Sequence, residues 1–259
     1  MTPEKDAKKV VFFSDAPYAG GAEKYLHLLA SGLDRSRYEP SVVICRAEKL
    51  KRFREWLEGD GIPVHEIEWD GVFSISGARS FARVVRDLSP QIVHLNLPGP
   101  FDSKYGLAAP VAKSAGAAGV VATEHLPMIG SFRKARILRG ISARFIDRVI
   151  TVSADNRKHL VEGHGVHPDK IRVVYNGIPD LQGGTGAMRR SEKAGRARGM
   201  EIVMVGALEE RKGHRLMIGA MEDLPDNVFL SIIGEGELAA SLAKLAEDRK
   251  VAGRVRFWG

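Results

Sequence analysis

Residues 10–33, VVFFSDAPYAGGAEKYLHLLASGL, begin with a short apolar run, pass through two adjacent glycines and end in an amphipathic segment. The run at residues 10–14 has the length and composition of a buried strand. Apolar side chains then recur at helical spacing, namely Ala22, Tyr25, Leu26, Leu29 and Leu33. A strand, a glycine turn and a helix in this order predict the first half of a βαβ unit.

The same alternation continues along the chain. Further strands are predicted at residues 41–45, 64–67, 92–95, 119–123, 148–152 and 170–175, and helices at residues 49–58, 79–88, 103–115, 132–145 and 154–162. Strands that alternate with helices in this way form a mostly parallel sheet covered on both faces. We therefore predict a doubly wound α/β domain, whose ligands bind beyond the carboxyl ends of the strands.

Residues 180–199 interrupt this alternation with a Gly- and Arg-rich stretch that is typical of a linker or a surface loop. Strands are predicted again at residues 201–205, 228–233 and 255–258, with helices at 213–221 and 237–249. These elements are about half of what a doubly wound domain carries. We therefore expect a complete Rossmann-like domain at residues 1–178, a linker or mobile loop at 179–200 and an incomplete second Rossmann-like domain at 201–259.

The composition is that of a globular protein, with 44% hydrophobic and 27% charged residues among 259. The formal charge of +7 is compatible with nucleic acid, anionic lipid or phosphorylated small molecules. Basic and aromatic residues do not interleave as they do in nucleic-acid-binding proteins, so we expect no nucleic-acid partner.

The single cysteine, Cys45, excludes an internal disulfide. No apolar run is long enough to span a bilayer, and we predict a cytoplasmic protein.

Three groups of residues follow predicted strands, where a ligand is expected. Gly20 and Gly21 allow backbone N–H groups to approach an anion at a helix N-terminus, although such glycines are also needed for steric reasons in many turns. Their spacing is neither a dinucleotide fingerprint nor a P-loop. His94 and His125 are either catalytic or structural hydrogen-bonding residues, and their surroundings do not indicate a metal site.

The third group lies in the second unit. Arg211 and Lys212 precede a predicted helix, where cations oppose the helix dipole. This arrangement favours a bound anion such as a diphosphate, or else a solvated turn. Gly234 and Gly236 follow the next strand and would permit close approach of a ligand.

Taken together, these segments resemble the GT-B glycosyltransferases of family 4. The matching segments are, in chain order, Gly20-Gly21-Ala22-Glu23, Ile92-Val93-His94, Thr123-Glu124-His125, residues 148–153 (RVITVS), residues 173–178 (VVYNGI), residues 205–208 (VGAL) with Lys212-Gly213, and residues 232–236 (IIGEG).

The resemblance implies a retaining transferase that takes its sugar from a nucleotide-diphosphate donor without a metal or another cofactor. It implies that His125 acts beside the transferred sugar. Glu23 and His94 fall on the acceptor side, and Asn176-Gly177 marks the crossing between domains. The donor would be bound by Gly20, Gly21, Arg211, Lys212, Gly234 and Gly236.

The sequence departs from the family pattern in two places. Ala207 stands where family members often carry an arginine. The family's Glu-x7-Glu segment, which holds the donor sugar and the ribose, would come after Gly259. We therefore expect the 259-residue chain alone to show no turnover.

The acceptor is expected to be a glycan or a lipid-linked molecule. The predicted helix at residues 132–145 carries basic side chains beside apolar ones, and such a helix either lies on anionic membrane or packs on the core with a solvated basic face. Peripheral contact with the inner membrane face is the corresponding hypothesis. Two alternatives stay open: a non-catalytic nucleotide- or ligand-binding α/β module, and a GT-B sugar-nucleotide epimerase.

Overall fold

The computed structural model describes residues 7–71, 73–97, 105–126, 140, 142–164, 166–179 and 199–259. The chain divides into two compact units, Met1–Pro179 and Asp180–Gly259. Most of the predicted linker and most of the predicted basic helix at residues 132–145 lie outside the described residues. In the part that is described, no helix is long and apolar enough to cross a membrane.

The first unit is built on a seven-stranded sheet with the order β3-β2-β1-β4-β5-β6-β7. All of its neighbouring strands are parallel. The strands are β1 Lys8–Ser14, β2 Tyr38–Cys45, β3 Val64–Ile67, β4 Ile92–Leu97, β5 Gly119–Glu124, β6 Arg148–Thr151 and β7 Ile171–Val173. The helices whose bounds lie within the described residues are α1 Gly21–Ser31, α2 Lys51–Gly59, α3 Ile75–Leu88, α4 Tyr105–Ser114 and α5 Ala154–His164.

Apolar side chains cover both faces of this sheet, because successive residues of a strand point to opposite sides. Val10 and Phe12 pack with Leu26 of α1 and Phe53 of α2 on one side. On the other side, a larger cluster contains Val11, Phe13, Phe81 of α3 and Ala108 of α4. These two cores confirm the predicted doubly wound α/β fold.

One helix begins earlier than its apolar periodicity predicts. The pattern placed the start of α3 at residue 79, whereas the helix begins at Ile75. Ser74 caps it, because its hydroxyl accepts a hydrogen bond from the backbone N–H of Gly77. Gly77 itself lies against the ring of Trp69, where a larger residue would overlap with the indole.

The strand order reverses between β1 and β4, which places a topological switch point there. In an open parallel sheet, the loops that leave the two central strands separate at this point and form a crevice at the carboxyl edge. The turn after β1 and the end of β4 are therefore the positions at which a ligand is expected in this unit.

The second unit contains a parallel three-stranded sheet with the order β10-β9-β8. The strands are β8 Met200–Val205, β9 Val228–Ile233 and β10 Val255–Phe257, and the helices are α6 His214–Ala220 and α7 Ala239–Asp248. Leu230 and Ile232 of β9 form a core with Ile218 and Leu242 from the helices. On the opposite face, Val203 and Val205 are exposed. The order of elements matches the predicted Rossmann-like pattern.

Candidate functional site

Polar side chains replace apolar ones at the carboxyl ends of the central strands. Ser14 of β1 is in register with Asn96 of β4, and Asn96 is in register with Thr123 of β5. All three side chains are buried. They lie on the sheet face that α1 covers, since they continue the alternation of Val10 and Phe12. A buried polar row at the switch point must be satisfied by hydrogen bonds within the protein.

Glu23 is held inside the glycine turn. One carboxylate oxygen accepts the backbone N–H of Gly20 at 2.9 Å, and the other accepts the Ser14 hydroxyl at 3.1 Å. The first bond is the returning half of a capping box, and Gly20 has no side chain to supply the other half. Glu23 is 2% exposed. Its carboxylate therefore holds the backbone of the turn in place. Any acceptor-side role of Glu23 would then depend on the position of that turn.

The two glycines of the turn have different surroundings. A Cβ atom at Gly20 would contact Glu23 and Tyr18, whereas a Cβ atom at Gly21 would meet no atom of a described residue within 4 Å. Gly21 is exposed and is the first residue of α1. No neighbouring atom within that distance requires a glycine there, so the space beside its backbone is open to a ligand.

His125 lies directly after β5, beside α1. Its Nε2 is 2.9 Å from the side-chain oxygen of Asn96, and its ring contacts the ring of Tyr25 edge-on, with centroids 4.7 Å apart. The amide nitrogen of Asn96 donates in turn to the carbonyl of Ala22, at 3.1 Å. Burial lowers the pKa of His125 to about 4, so the ring is neutral at neutral pH.

His94 lies deeper, on the same sheet face. Its Nε2 is 2.7 Å from the Thr123 hydroxyl, and its ring packs on Phe12. Burial, together with the electrostatic effect of His125, lowers the pKa of His94 to about 4. The structure thus places both predicted histidines on the same face of the sheet. His94 is buried, and it contacts the site through Thr123. Its expected place on the acceptor side is not a surface position.

Asn96, Ser14 and Thr123 are site residues that the sequence reasoning missed. Their signal was available, because His94 and Asn96 alternate with the apolar residues Val93 and Leu95 on β4. A polar face on a strand whose other face is apolar, in a sheet predicted to be covered on both sides, indicates a buried hydrogen-bonded network.

In the second unit, the loop after β8 leads through a 3-10 turn, Glu210–Lys212, to Gly213 and α6. Gly213 has a φ of 73°, which a glycine adopts without strain. The Nε of Arg211 is 2.7 Å from the carboxylate of Glu209. Lys212 packs its side-chain carbons against Gly206, and no carboxylate pairs with its ammonium group within the described residues. Of the two predicted cations, Lys212 is therefore the one whose charge is available to an anion.

Gly234 and Gly236 are required by the backbone of the neighbouring loop. A Cβ atom at Gly234 would overlap with the carbonyl of Gly206, and one at Gly236 would lie 2.6 Å from the carbonyl of Leu208. The backbone N–H of Leu208 donates to the carbonyl of Glu235 between them. Close packing of the two loops thus accounts for both glycines, and their role in donor binding stays a prediction.

Comparison with known proteins gives two family matches. The family model described as Glycosyltransferase Family 4 matches residues 19–180, and the one described as Glycosyl transferases group 1 matches residues 190–259. The lipopolysaccharide core biosynthesis glycosyltransferase LpsE of Rhizobium meliloti (strain 1021) is 39% identical over 93 residues, which are 35% of this chain and 26% of that protein.

A second curated relative comes from Campylobacter jejuni subsp. jejuni serotype O:2 (strain ATCC 700819 / NCTC 11168). It is an N-acetylgalactosamine-N,N'-diacetylbacillosaminyl-diphospho-undecaprenol 4-alpha-N-acetylgalactosaminyltransferase, 30% identical over 113 residues, which are 44% of this chain and 30% of that protein. The matched segments thus span less than a third of either relative.

Among solved structures, Anabaena Alr3699/HepE in complex with UDP and glucose superimposes with a TM-score of 0.75 at 20% identity. The similarity covers 97% of this chain and 69% of that one. At this level of identity the likeness concerns the fold, and it extends over both units of the chain.

Proposed function

The chain belongs to Glycosyltransferase Family 4, and from this premise we propose that it carries the acceptor-side part of a retaining glycosyltransferase, with part of the donor-binding side. The reaction moves a sugar from a nucleotide-diphosphate sugar to a glycan or lipid-linked acceptor. The bond between the anomeric carbon and the diphosphate oxygen breaks. A bond to the acceptor hydroxyl oxygen forms on the same face of the sugar, and the hydroxyl proton passes to the departing diphosphate oxygen.

The observation that carries this proposal is the neutral His125 at the carboxyl edge of the sheet, linked through Asn96 to Ala22 in the first turn of α1. Positive charge develops at the anomeric carbon as the diphosphate departs. An imidazolium ion would repel that charge, whereas a neutral ring can place a lone pair near it. The low pKa of His125, about 4, keeps the ring uncharged at neutral pH.

The departing diphosphate needs a compensating positive charge, which we assign to Lys212. No carboxylate pairs with its ammonium group in the described part of the chain, whereas Arg211 is held by Glu209. A fixed cation that stabilises the leaving group lowers the barrier without a metal ion. Arg211 can assist at the diphosphate only after its guanidinium group leaves the carboxylate of Glu209.

The relatives suggest which molecules to test. UDP and glucose are bound in Anabaena Alr3699/HepE, LpsE acts in lipopolysaccharide core biosynthesis, and the Campylobacter relative is named for a diphospho-undecaprenol substrate. We propose that this protein uses a UDP-sugar in building a cell-envelope glycan.

We further propose that it works in the cytoplasm, at the inner face of the membrane. Sedimentation with anionic and with neutral vesicles tests the membrane contact, and equal recovery with both would contradict it.

Nucleotide binding by the 259-residue chain tests the core of the proposal. We expect UDP-glucose to raise its melting temperature, and Lys212→Ala to weaken binding by roughly 10- to 100-fold, the value of one charged hydrogen bond. Lys244→Ala removes an exposed lysine of α7 and is the matched control. Equal binding by both variants would contradict the role of Lys212. By itself, this chain is expected to bind without turning over the sugar.

A further inference from the structure

We infer that Asn96 is a positioning residue that fixes the tautomer of His125, so that Nδ1 of His125 carries the lone pair offered to a ligand. The tautomer follows from the geometry of the first unit alone. Its consequence for the sugar rests on the proposed function.

The orientation of the Asn96 amide is set by Ala22. The main-chain carbonyl of Ala22 can only accept a hydrogen bond, and the Asn96 side chain approaches it to 3.1 Å with its nitrogen. Reversing the amide would bring two acceptor oxygens together. Asn96 is 1% exposed, so water is not at hand to relieve that repulsion. The amide oxygen must therefore face His125.

The oxygen of Asn96 then decides which nitrogen of His125 carries the proton. That oxygen is an acceptor and lies 2.9 Å from Nε2, so Nε2 must be the donor. A neutral imidazole has one ring proton, and Nδ1 is left as an acceptor. No hydrogen bond joins Nδ1 to a described residue. The edge-on contact with Tyr25 keeps the ring from turning freely.

This arrangement gives His125 a defined chemistry. A lone pair on Nδ1 accepts a hydrogen bond from a hydroxyl group, and His125 cannot act as an acid through that atom at neutral pH. Asn96 also joins His125 to Ala22 in the first turn of α1, next to Gly20 and Gly21. A ligand that moves the glycine turn would therefore move His125 as well.

The test is nitrogen NMR of the 259-residue protein labelled with ¹⁵N-histidine, with long-range proton correlations to identify each ring nitrogen. We expect a single His125 species at neutral pH, in which Nε2 has the shift of a protonated nitrogen and Nδ1 that of an unprotonated one. A protonated Nδ1, or shifts averaged between the two tautomers, would overturn the inference.

Variants separate the action of Asn96 from that of burial. Asn96→Leu keeps the volume but removes the acceptor, and we expect averaged His125 shifts. Thr123→Val is the comparison variant, because it removes the partner of His94 and should leave the His125 proton on Nε2. An unchanged spectrum in Asn96→Leu would contradict the inference. Since no ligand is added, this result is independent of whether UDP-glucose binds.

Discussion

The carboxylate of Glu23 accepts a hydrogen bond from the backbone N–H of Gly20, 2.9 Å away, and closes the turn after β1 from the inside. Because Glu23 is buried, its loss would leave the Gly20 N–H and the Ser14 hydroxyl without their partner. We expect Glu23→Ala to lower the free energy of unfolding by about 1–3 kcal/mol in urea denaturation. Glu23→Gln keeps one acceptor oxygen and should cost less. Equal losses in the two variants would contradict this account of the turn.

The glycines provide a second, contrasting prediction. A Cβ atom at Gly21 meets nothing within 4 Å in the described part of the chain, so Gly21→Ala should leave thermal stability nearly unchanged. Gly234 has a φ of 143°, and a side chain there would overlap with the Gly206 carbonyl. Gly234→Ala should therefore destabilise the second unit by more than about 1 kcal/mol.

Calorimetry of both glycine variants checks this contrast. If Gly21→Ala is stable yet weakens the binding of UDP-glucose, the open space beside Gly21 belongs to the ligand. If the two variants lose the same stability, the distinction between an open and a filled glycine site is wrong.

Most of the fold followed from periodicity in the sequence, while much of the site did not. The strand that ends near Asn96 was predicted from its apolar residues, yet the pattern did not indicate that the Asn96 side chain meets His125. Periodicity shows which face a side chain occupies but not which partner it meets across neighbouring strands. The pairing of Asn96 with His125 depends on strand order, and the strand order was not part of the prediction.

The same limit applies to charge. The cations Arg211 and Lys212 are adjacent in the sequence, and the family resemblance gives the diphosphate to Lys212 with Arg211 as a helper. The structure separates them, because a carboxylate two residues earlier, Glu209, lies 2.7 Å from Arg211. The closeness of Glu209 to both cations in the sequence did not show which of them its carboxylate would pair with.

This difference predicts unequal effects on nucleotide binding. Arg211 is exposed and paired, so Arg211→Ala should weaken the binding of UDP by less than about threefold, within the usual value of a surface ion pair. Lys212→Ala should weaken it by about tenfold or more. Isothermal titration with UDP measures both. A larger loss for Arg211→Ala would mean that Arg211 leaves Glu209 on binding and carries the main contact.

The two buried histidines predict an acid-sensitive fold. The pKa of each is lowered from 6.5 to about 4, mainly by burial. As the pH falls below 6.5, the unfolded chain takes up protons at these sites and the folded chain does not. The stability that the two neutral histidines contribute is therefore present in full at neutral pH, and it is lost as the pH falls toward 4. The loss reaches up to roughly 3 kcal/mol for each histidine.

Urea denaturation at a series of pH values measures this loss, and His94→Gln tests its source. Glutamine can still hydrogen-bond to Thr123 but does not titrate, so this variant should lose about half as much stability between neutral and mildly acidic pH. The absolute stability of the variant is not the readout, because its packing on Phe12 also changes. What matters is the slope with pH, which follows the protons taken up on unfolding. An unchanged slope in His94→Gln would show that His94 titrates normally in the folded protein.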